Sequence, residues 1–441
     1  MNEESKMQVS VELTNGLERR MTVAVPAERV DKEVENRLKT LSRTAKLAGF
    51  RPGKVPMKVI TSKYGPQVRQ EVLDEVTQRS FQEAVMQEKL HLAGRPRIEP
   101  RLNESGKDLE YTAVFEVFPG IKLAPIDKIK IDKPVAEITE KDVDNMLQKM
   151  RKQRAGWDAV ERPAALDDQV MIDFKGTIDG KEFEGNEGTN VPLILGSKRF
   201  IEGVEEQLLG VKAGDELSIK VTFPEDYHVK DLAGQPASFT IKVHAVSAPV
   251  LPEIDDEFIS SYGVKEGGLE ALRREVREGM TLEMEQVIKD KIKTQVMDQL
   301  YAANPLELPK TLVTNEIVNL MNQAHRTMVN QGLKPDQIHL ERDMFEEPGR
   351  RRATLGLLLA EIIKDNNFKA EAPKIRQAIE NIAATYDDPQ EVIKWYYADR
   401  NRLSQIESVV LEDHVVEWIL ANAAVAEART TFDDIMKDRA A

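Results

Sequence analysis

Cysteine is absent from this 441-residue chain. That excludes a disulfide framework, thiolate metal sites and thiol nucleophiles. Histidine is scarce, with six residues scattered and none paired at metal-ligand spacing, so neither a metal nor another cofactor is expected. No run of about 18 apolar residues occurs, which removes a membrane-spanning helix from the expected elements. The stretch Met1 to Val11 carries acids and no apolar segment of the secretory type, so the cytoplasm is the expected compartment. Also missing are a Walker loop, a dinucleotide-type glycine pattern and a nucleophile elbow. Aromatic residues make up only 5% of the chain while charged residues make up 31%, a balance that fits long exposed helices better than one large globule. The length predicts two or three domains.

What is present is unevenly distributed. The formal net charge is −14, yet Asn36 to Gln70 holds nine basic residues and no acid: Arg37, Lys39, Arg43, Lys46, Arg51, Lys54, Lys58, Lys63 and Arg69. An acidic protein is repelled by a polyanion, and a local basic tip reverses that at one place. At its centre is Gly49-Phe50-Arg51-Pro52-Gly53-Lys54-Val55-Pro56, whose glycines and prolines forbid continued helix and predict a loop. Arg51 and Lys54 suit phosphate or carboxylate groups, and Phe50 offers an apolar anchor beside them. The octapeptide resembles the ribosome-docking motif of the bacterial trigger factor family of chaperones. The resemblance implies that Arg43, Lys46, Gly49, Phe50, Arg51, Gly53, Lys54 and Pro56 seat the chain on the large ribosomal subunit near the tunnel exit. It further implies nascent and unfolded polypeptides as partners, no membrane partner, and allows a homodimer away from the ribosome. The charge pattern by itself says only that the partner is anionic.

The first domain, residues 1–115, reads as α+β. Val9, Val11 and Leu13 alternate with polar residues up to Asn15-Gly16, and Met21, Val23 and Val25 alternate after it, which predicts a hairpin. Pro26 opens a helix with Val30, Val34, Leu38 and Leu41 on one face. A second helix is expected from Pro66 to about Leu90, followed by closing strands at Arg97 to Arg101 and Leu109 to Val117. Residues 116–150 form a linker punctuated by Pro119, Pro125 and Pro134, then a short helix from about Thr139 to Gly156 with Thr139 as its cap.

Residues 151–248 turn glycine-rich and β-patterned. Strands are expected at Val170 to Gly176, Leu217 to Phe223 and Phe239 to Val246, with a turn at Asp179-Gly180. The order of segments, including Val191-Pro192-Leu193-Ile194-Leu195-Gly196 and Phe200-Ile201-Glu202-Gly203-Val204-Glu205, resembles the FK506-binding-protein (FKBP) type of peptidyl-prolyl isomerase. By that resemblance the pocket is formed by Phe174, Phe183, Glu184, Phe200, Ile201, Val204, Tyr227, Phe239 and Ile241. Rotation about X–Pro faces a barrier of roughly 18–20 kcal/mol set by amide resonance. A dry apolar pocket disfavours the polar planar amide relative to the twisted one, and no nucleophile or cofactor is required. An alternative is that this domain mainly binds client chain with little turnover, and a further one is a nucleic-acid-binding isomerase unrelated to the ribosome.

From 249 to 441 the pattern is nearly all helical. Long apolar stripes start near Gly268 and Pro309, a strongly apolar segment runs from Thr354 to Ile363, and shorter helices are expected from Pro373, Pro389 and Asn401. After Arg429 a charged tail is expected. The whole reads as a multidomain α+β chain: an α+β docking domain, an FKBP-like sheet-and-helix module, and an all-α C-terminal domain that the resemblance makes elongated, with helical arms.

Overall fold

A computed structural model describes residues 7–437, apart from 46, 48, 49, 51–53, 184 and 226–231. The chain divides into two compact units, Met1–Lys133 with Asp290–Ala426 and Pro134–Lys289 with Glu427–Ala441.

In the first unit, β1 (Gln8–Asn15) and β2 (Glu18–Val25) form the antiparallel hairpin, with Gly16 at φ 51° in the turn. Asn-Gly favours that left-handed conformation, which matches the twist of the flanking strands. The helix α1 (Ala27–Thr44) buries Val30 and Leu38, and α2 (Met57–Gln87) packs beside it. The expected start of α2 at Pro66 is corrected. The helix begins after Pro56, and Pro66 lies inside it. Pro66 forgoes one backbone hydrogen bond, but Ile60 before it and Val68, Val72 and Val76 after it are all buried, and that continuous face holds the helix through the break. The strands β3 (Arg97–Leu102) and β4 (Leu109–Glu116) complete an antiparallel sheet in the order β1-β2-β4-β3. Met21, Val23 and Val25 on β2 and Tyr111, Ala113 and Phe115 on β4 alternate into the core, where Phe115 meets Phe81 of α2 edge-on at 5.6 Å.

The linker forms β5 (Lys130–Val135) and then α3 (Glu140–Gln153). The Thr139 side chain accepts from the Asp142 amide while the Asp142 carboxylate accepts from the Thr139 amide at 2.8 Å, a capping box with Asp in the third position. The glycine-rich, β-patterned module follows. Its strands are β6 (Gly156–Ala159), β7 (Gln169–Thr177) and β8 (Glu187–Ile194), then, after the short helix α4 (Val204–Gln207), β9 (Glu216–Thr222) and β10 (Pro236–Val250). The sheet order is β6-β10-β7-β8, with β9 also on β10. The long β10 serves two partners in turn: Pro236 to Lys242 pair with β9 and Ser247 to Val250 with β6. Val170, Ile172, Leu193, Leu195, Leu208 and Val243 are buried at the centre of this module.

The remaining elements are α5 (Asp256–Ser261), α6 (Gly268–Ala303), α7 (Lys310–Asn330), α8 (Glu346–Asp365), α9 (Ala372–Ala383), α10 (Pro389–Tyr397), α11 (Arg400–Asn422), β11 (Ala424–Arg429) and α12 (Phe432–Lys437). Pro309, Pro373 and Pro389 each stand at a helix start, where the missing N–H costs nothing. In the first unit Ile375, Ile379, Ile406 and Val410 hold α9 to α11. The expected charged tail is corrected as well. β11 pairs with β5, and α12 buries Phe432 and Ile435 against Val143, Leu147 and Leu272. Two apolar residues three apart suffice for one buried face of a short helix, and the acids around them mask it in the sequence.

Candidate functional site

The site is built from aromatic rings and from the glycines that make room for them. Phe174 on β7 pairs with Ile241 across the ladder, and Phe239 on β10 pairs with Gly176. A β-carbon on Gly176 would lie 2.5 Å from the Phe239 ring, and one on Gly188 would lie 2.6 Å from the Phe174 ring. Both glycines are therefore needed for space. Phe239, only 2% exposed, sits centrally, with Phe174 at 6.2 Å, Phe200 at 6.3 Å and Phe183 at 6.4 Å between ring centroids. Phe174 and Phe200 meet edge-on at 5.1 Å, and Phe183 and Phe223 at 5.8 Å. Such tilted and edge-on pairs each add about 0.5–1.5 kcal/mol beyond area burial and fix ring orientation.

These rings wall a cleft of about 1000 Å³, together with Ile201 and, among others, Leu166, Leu209 and Leu232. Leu166 is 64% exposed and Leu209 45% exposed, which places apolar surface at the solvent side of the cleft. Of the residues that the FKBP resemblance implies, Phe174, Phe183, Phe200, Ile201 and Phe239 line this cleft. Val204 and Ile241 do not: both are fully buried in the core behind it. Glu184 and Tyr227 lie outside the described residues. Phe223 was not singled out from the sequence. It ends a strand-like pattern as an ordinary core residue would, and only the fold brings it to Phe183.

Glu205, at the start of α4, also touches the cleft and was not singled out. Its carboxylate accepts hydrogen bonds from the amides of Gly196, Lys198, Arg199 and Phe200 and from the Ser197 hydroxyl, at 2.8 to 3.2 Å. Burial works to raise its pKa, but the amides and the hydroxyl outweigh it and hold the carboxyl below its ordinary value.

The basic tip is narrower in the fold than in the sequence. Arg37 pairs with Glu75 at 3.5 Å, Lys39 with Glu35 at 2.6 Å and Arg69 with Asp31 at 3.4 Å, so acids outside the stretch are brought to its helical part. Among the described residues, Arg43, Lys54, Lys58 and Lys63 form no ion pair, and Phe50, between Arg43 and Lys54 in sequence, is 40% exposed. Arg43 lies in the last turn of α1, and Pro56, itself exposed, caps α2. Lys46, Gly49, Arg51 and Gly53 lie outside the described residues. Also among the described residues, no group of three or more His, Asp or Glu could hold a metal ion, and no helix is long and apolar enough to cross a membrane.

An antiparallel sheet with a short helix, carrying a cleft walled by aromatic rings, is the architecture of a peptidyl-prolyl cis-trans isomerase module of the FKBP type. The sequence agrees, because the FKBP-type peptidyl-prolyl cis-trans isomerase family matches residues 160–244. The bacterial trigger factor protein family matches residues 7–150, and its C-terminus residues 268–421. Curated relatives include "Trigger factor" of Pseudomonas putida, 49% identical over 98% of both chains, and of Ectopseudomonas mendocina, 48% identical over 98% of both. A solved trigger factor chaperone chain, at 17% identity, covers 94% of this chain and 99% of its own with a TM-score of 0.49. The chain belongs to the bacterial trigger factor family, chaperones that carry an isomerase module of this type.

A first test addresses the space under Phe174. Gly188→Val is expected to drive the Phe174 ring from its place, lower the stability of the module by about 1–3 kcal/mol and reduce turnover of a proline peptide. Denaturant melts and a coupled isomerase assay on the same sample check both effects.

Proposed function

We propose that the chain docks on the large ribosomal subunit near the tunnel exit through the loop between α1 and α2, holds unfolded segments of nascent chain, and isomerises their X–Pro bonds in the aromatic cleft. The work is divided as residues 1–115 for docking, 116–150 as a linker, 151–248 for isomerisation and 249–441 for holding clients, in the cytoplasm. The observation that carries the isomerase part is the set of rings converging on Phe239 around one cleft.

The chemistry follows from the walls. Resonance puts charge on the amide oxygen, and water stabilises it. With Phe174, Phe200 and Phe239 around the prolyl ring, that water is excluded and the planar amide loses its advantage over the twisted one. The client's backbone still has to be held. Among the described residues no acceptor takes the Ile201 amide on the cleft wall, so it is available to a client carbonyl. For docking, exposed Phe50 supplies an apolar anchor, and Arg43 and Lys54, on either side of it in sequence and without ion pairs among the described residues, supply positive charge.

Holding and isomerising are separable in this scheme. Nascent chain emerges at about 5–20 residues per second, while uncatalysed proline exchange takes tens of seconds or longer. Apolar segments thus need cover before any proline is corrected. A Phe200→Ala chain is expected to suppress aggregation of an unfolded client that has no slow proline step as well as the parent does, measured by light scattering. Loss of suppression in that variant would favour the alternative in which the cleft is chiefly a client-binding site.

A further inference from the structure

The segment between β8 and α4 supplies Phe200 and Ile201 to the cleft, and beyond Gly196 and one backbone hydrogen bond, from the Ser197 amide to the Ile194 carbonyl, its shape is set from outside. It is a turn in which Gly196 takes φ 93° and Lys198 takes φ 55°, the latter a left-handed conformation that a lysine adopts only when its surroundings impose it. What imposes it is Glu205. One carboxylate oxygen accepts from the Gly196 amide at 2.8 Å and the Lys198 amide at 3.0 Å. The other accepts from the Arg199 amide at 3.0 Å, the Phe200 amide at 3.2 Å and the Ser197 hydroxyl at 3.2 Å. A carboxylate offers about four lone-pair sites, so this one is saturated and has nothing left for a client. The next amide along the chain, that of Ile201, is not taken by Glu205, and it has no other acceptor among the described residues.

We propose that Glu205 is a positioning residue for prolyl isomerisation: by gathering the amides of 196 and 198–200 it sets Phe200 against Phe174 and presents the Ile201 N–H as the donor for the client's backbone carbonyl beside the proline. This rests on the aromatic cleft being the isomerase site. Glu205 moves no proton and touches no reacting atom. Its negative charge is required because every group that faces it donates. A glutamine in its place keeps the shape and one acceptor oxygen, but turns an NH₂ toward N–H groups and leaves at least one cluster of donors without a partner.

The test uses the full chain. Glu205→Gln is expected to lower kcat/KM on a proline tetrapeptide about tenfold or more, with a circular-dichroism melt still showing a folded module. Hydrogen exchange should quicken at the amides of 196 and 198–200 and stay slow in the β7 and β10 ladder. Should the variant fail to fold, the parent chain decides: saturating tetrapeptide should slow exchange at the Ile201 amide and leave 198–200, already slow, unchanged. An unaffected Ile201 amide, or a folded Glu205→Gln chain with parental turnover, overturns the role given to Glu205. Phe200→Ala run alongside separates the two levels. If it loses turnover while Glu205→Gln keeps it, only the positioning role fails; if both keep it, the cleft is not the isomerase site.

Discussion

Phe200→Ala in the intact chain is expected to lower kcat/KM for a proline tetrapeptide by roughly 30- to 100-fold, the equivalent of about 2–3 kcal/mol. Phe200 lies 5.1 Å from Phe174 and 6.3 Å from Phe239, and its loss opens one wall of the cleft to water. Water restores stabilisation of the polar planar amide, which is what the cleft exists to withdraw. Phe200 is half-buried and the core behind it, with Val204, Ile241 and Val243 fully buried, does not depend on it. The module should therefore melt a few degrees lower and remain folded. A coupled assay on folded variant checks the effect, and parental turnover would remove these rings from the mechanism.

The second large effect concerns docking. Phe50→Ala combined with Arg51→Ala and Lys54→Ala is expected to weaken binding to salt-washed ribosomes by about 100-fold or more, since anchors of this type carry roughly 2 kcal/mol or more each. Without that loop a chain of formal net charge −14 has no reason to approach a polyanion. Parent binding should itself fall with rising salt, as contacts between exposed charges are screened. Phe50 and Lys54 are exposed, so stability should change by less than about 0.5 kcal/mol. Co-sedimentation of the variant at the parent's level would refute docking through this loop.

Much of the architecture could be read from short-range pattern. Asn15-Gly16 announces the first hairpin and Thr139 its helix, while the rings of the cleft, Phe174, Phe183, Phe200 and Phe239, follow from the FKBP resemblance and not from local pattern. What escaped depends on partners distant in sequence. Pro66 looks like a helix start because local rules place proline there, whereas buried Ile60 and Val68 carry the helix past it. The stretch from Asn36 to Gln70 holds no acid, yet Glu75 and Asp31 neutralise part of it across the helix pair, which moves the free charge toward the loop. Phe223 becomes a cleft residue only once Phe183 is beside it. Glu205 reads as one of many surface acids until its five donors are seen around it. α12 was hidden because its two buried residues have their partners on α3 and α6.

The most direct measurement is turnover of a proline tetrapeptide by the intact chain and by its two variants on one day and in one buffer. The parent should accelerate exchange in proportion to its concentration, the Phe50/Arg51/Lys54 triple alanine variant should match it, and Phe200→Ala should fall toward the uncatalysed rate. A folded parent chain that gives no acceleration, or a Phe200→Ala chain that matches it, would contradict the assignment of this aromatic cleft as a prolyl isomerase site.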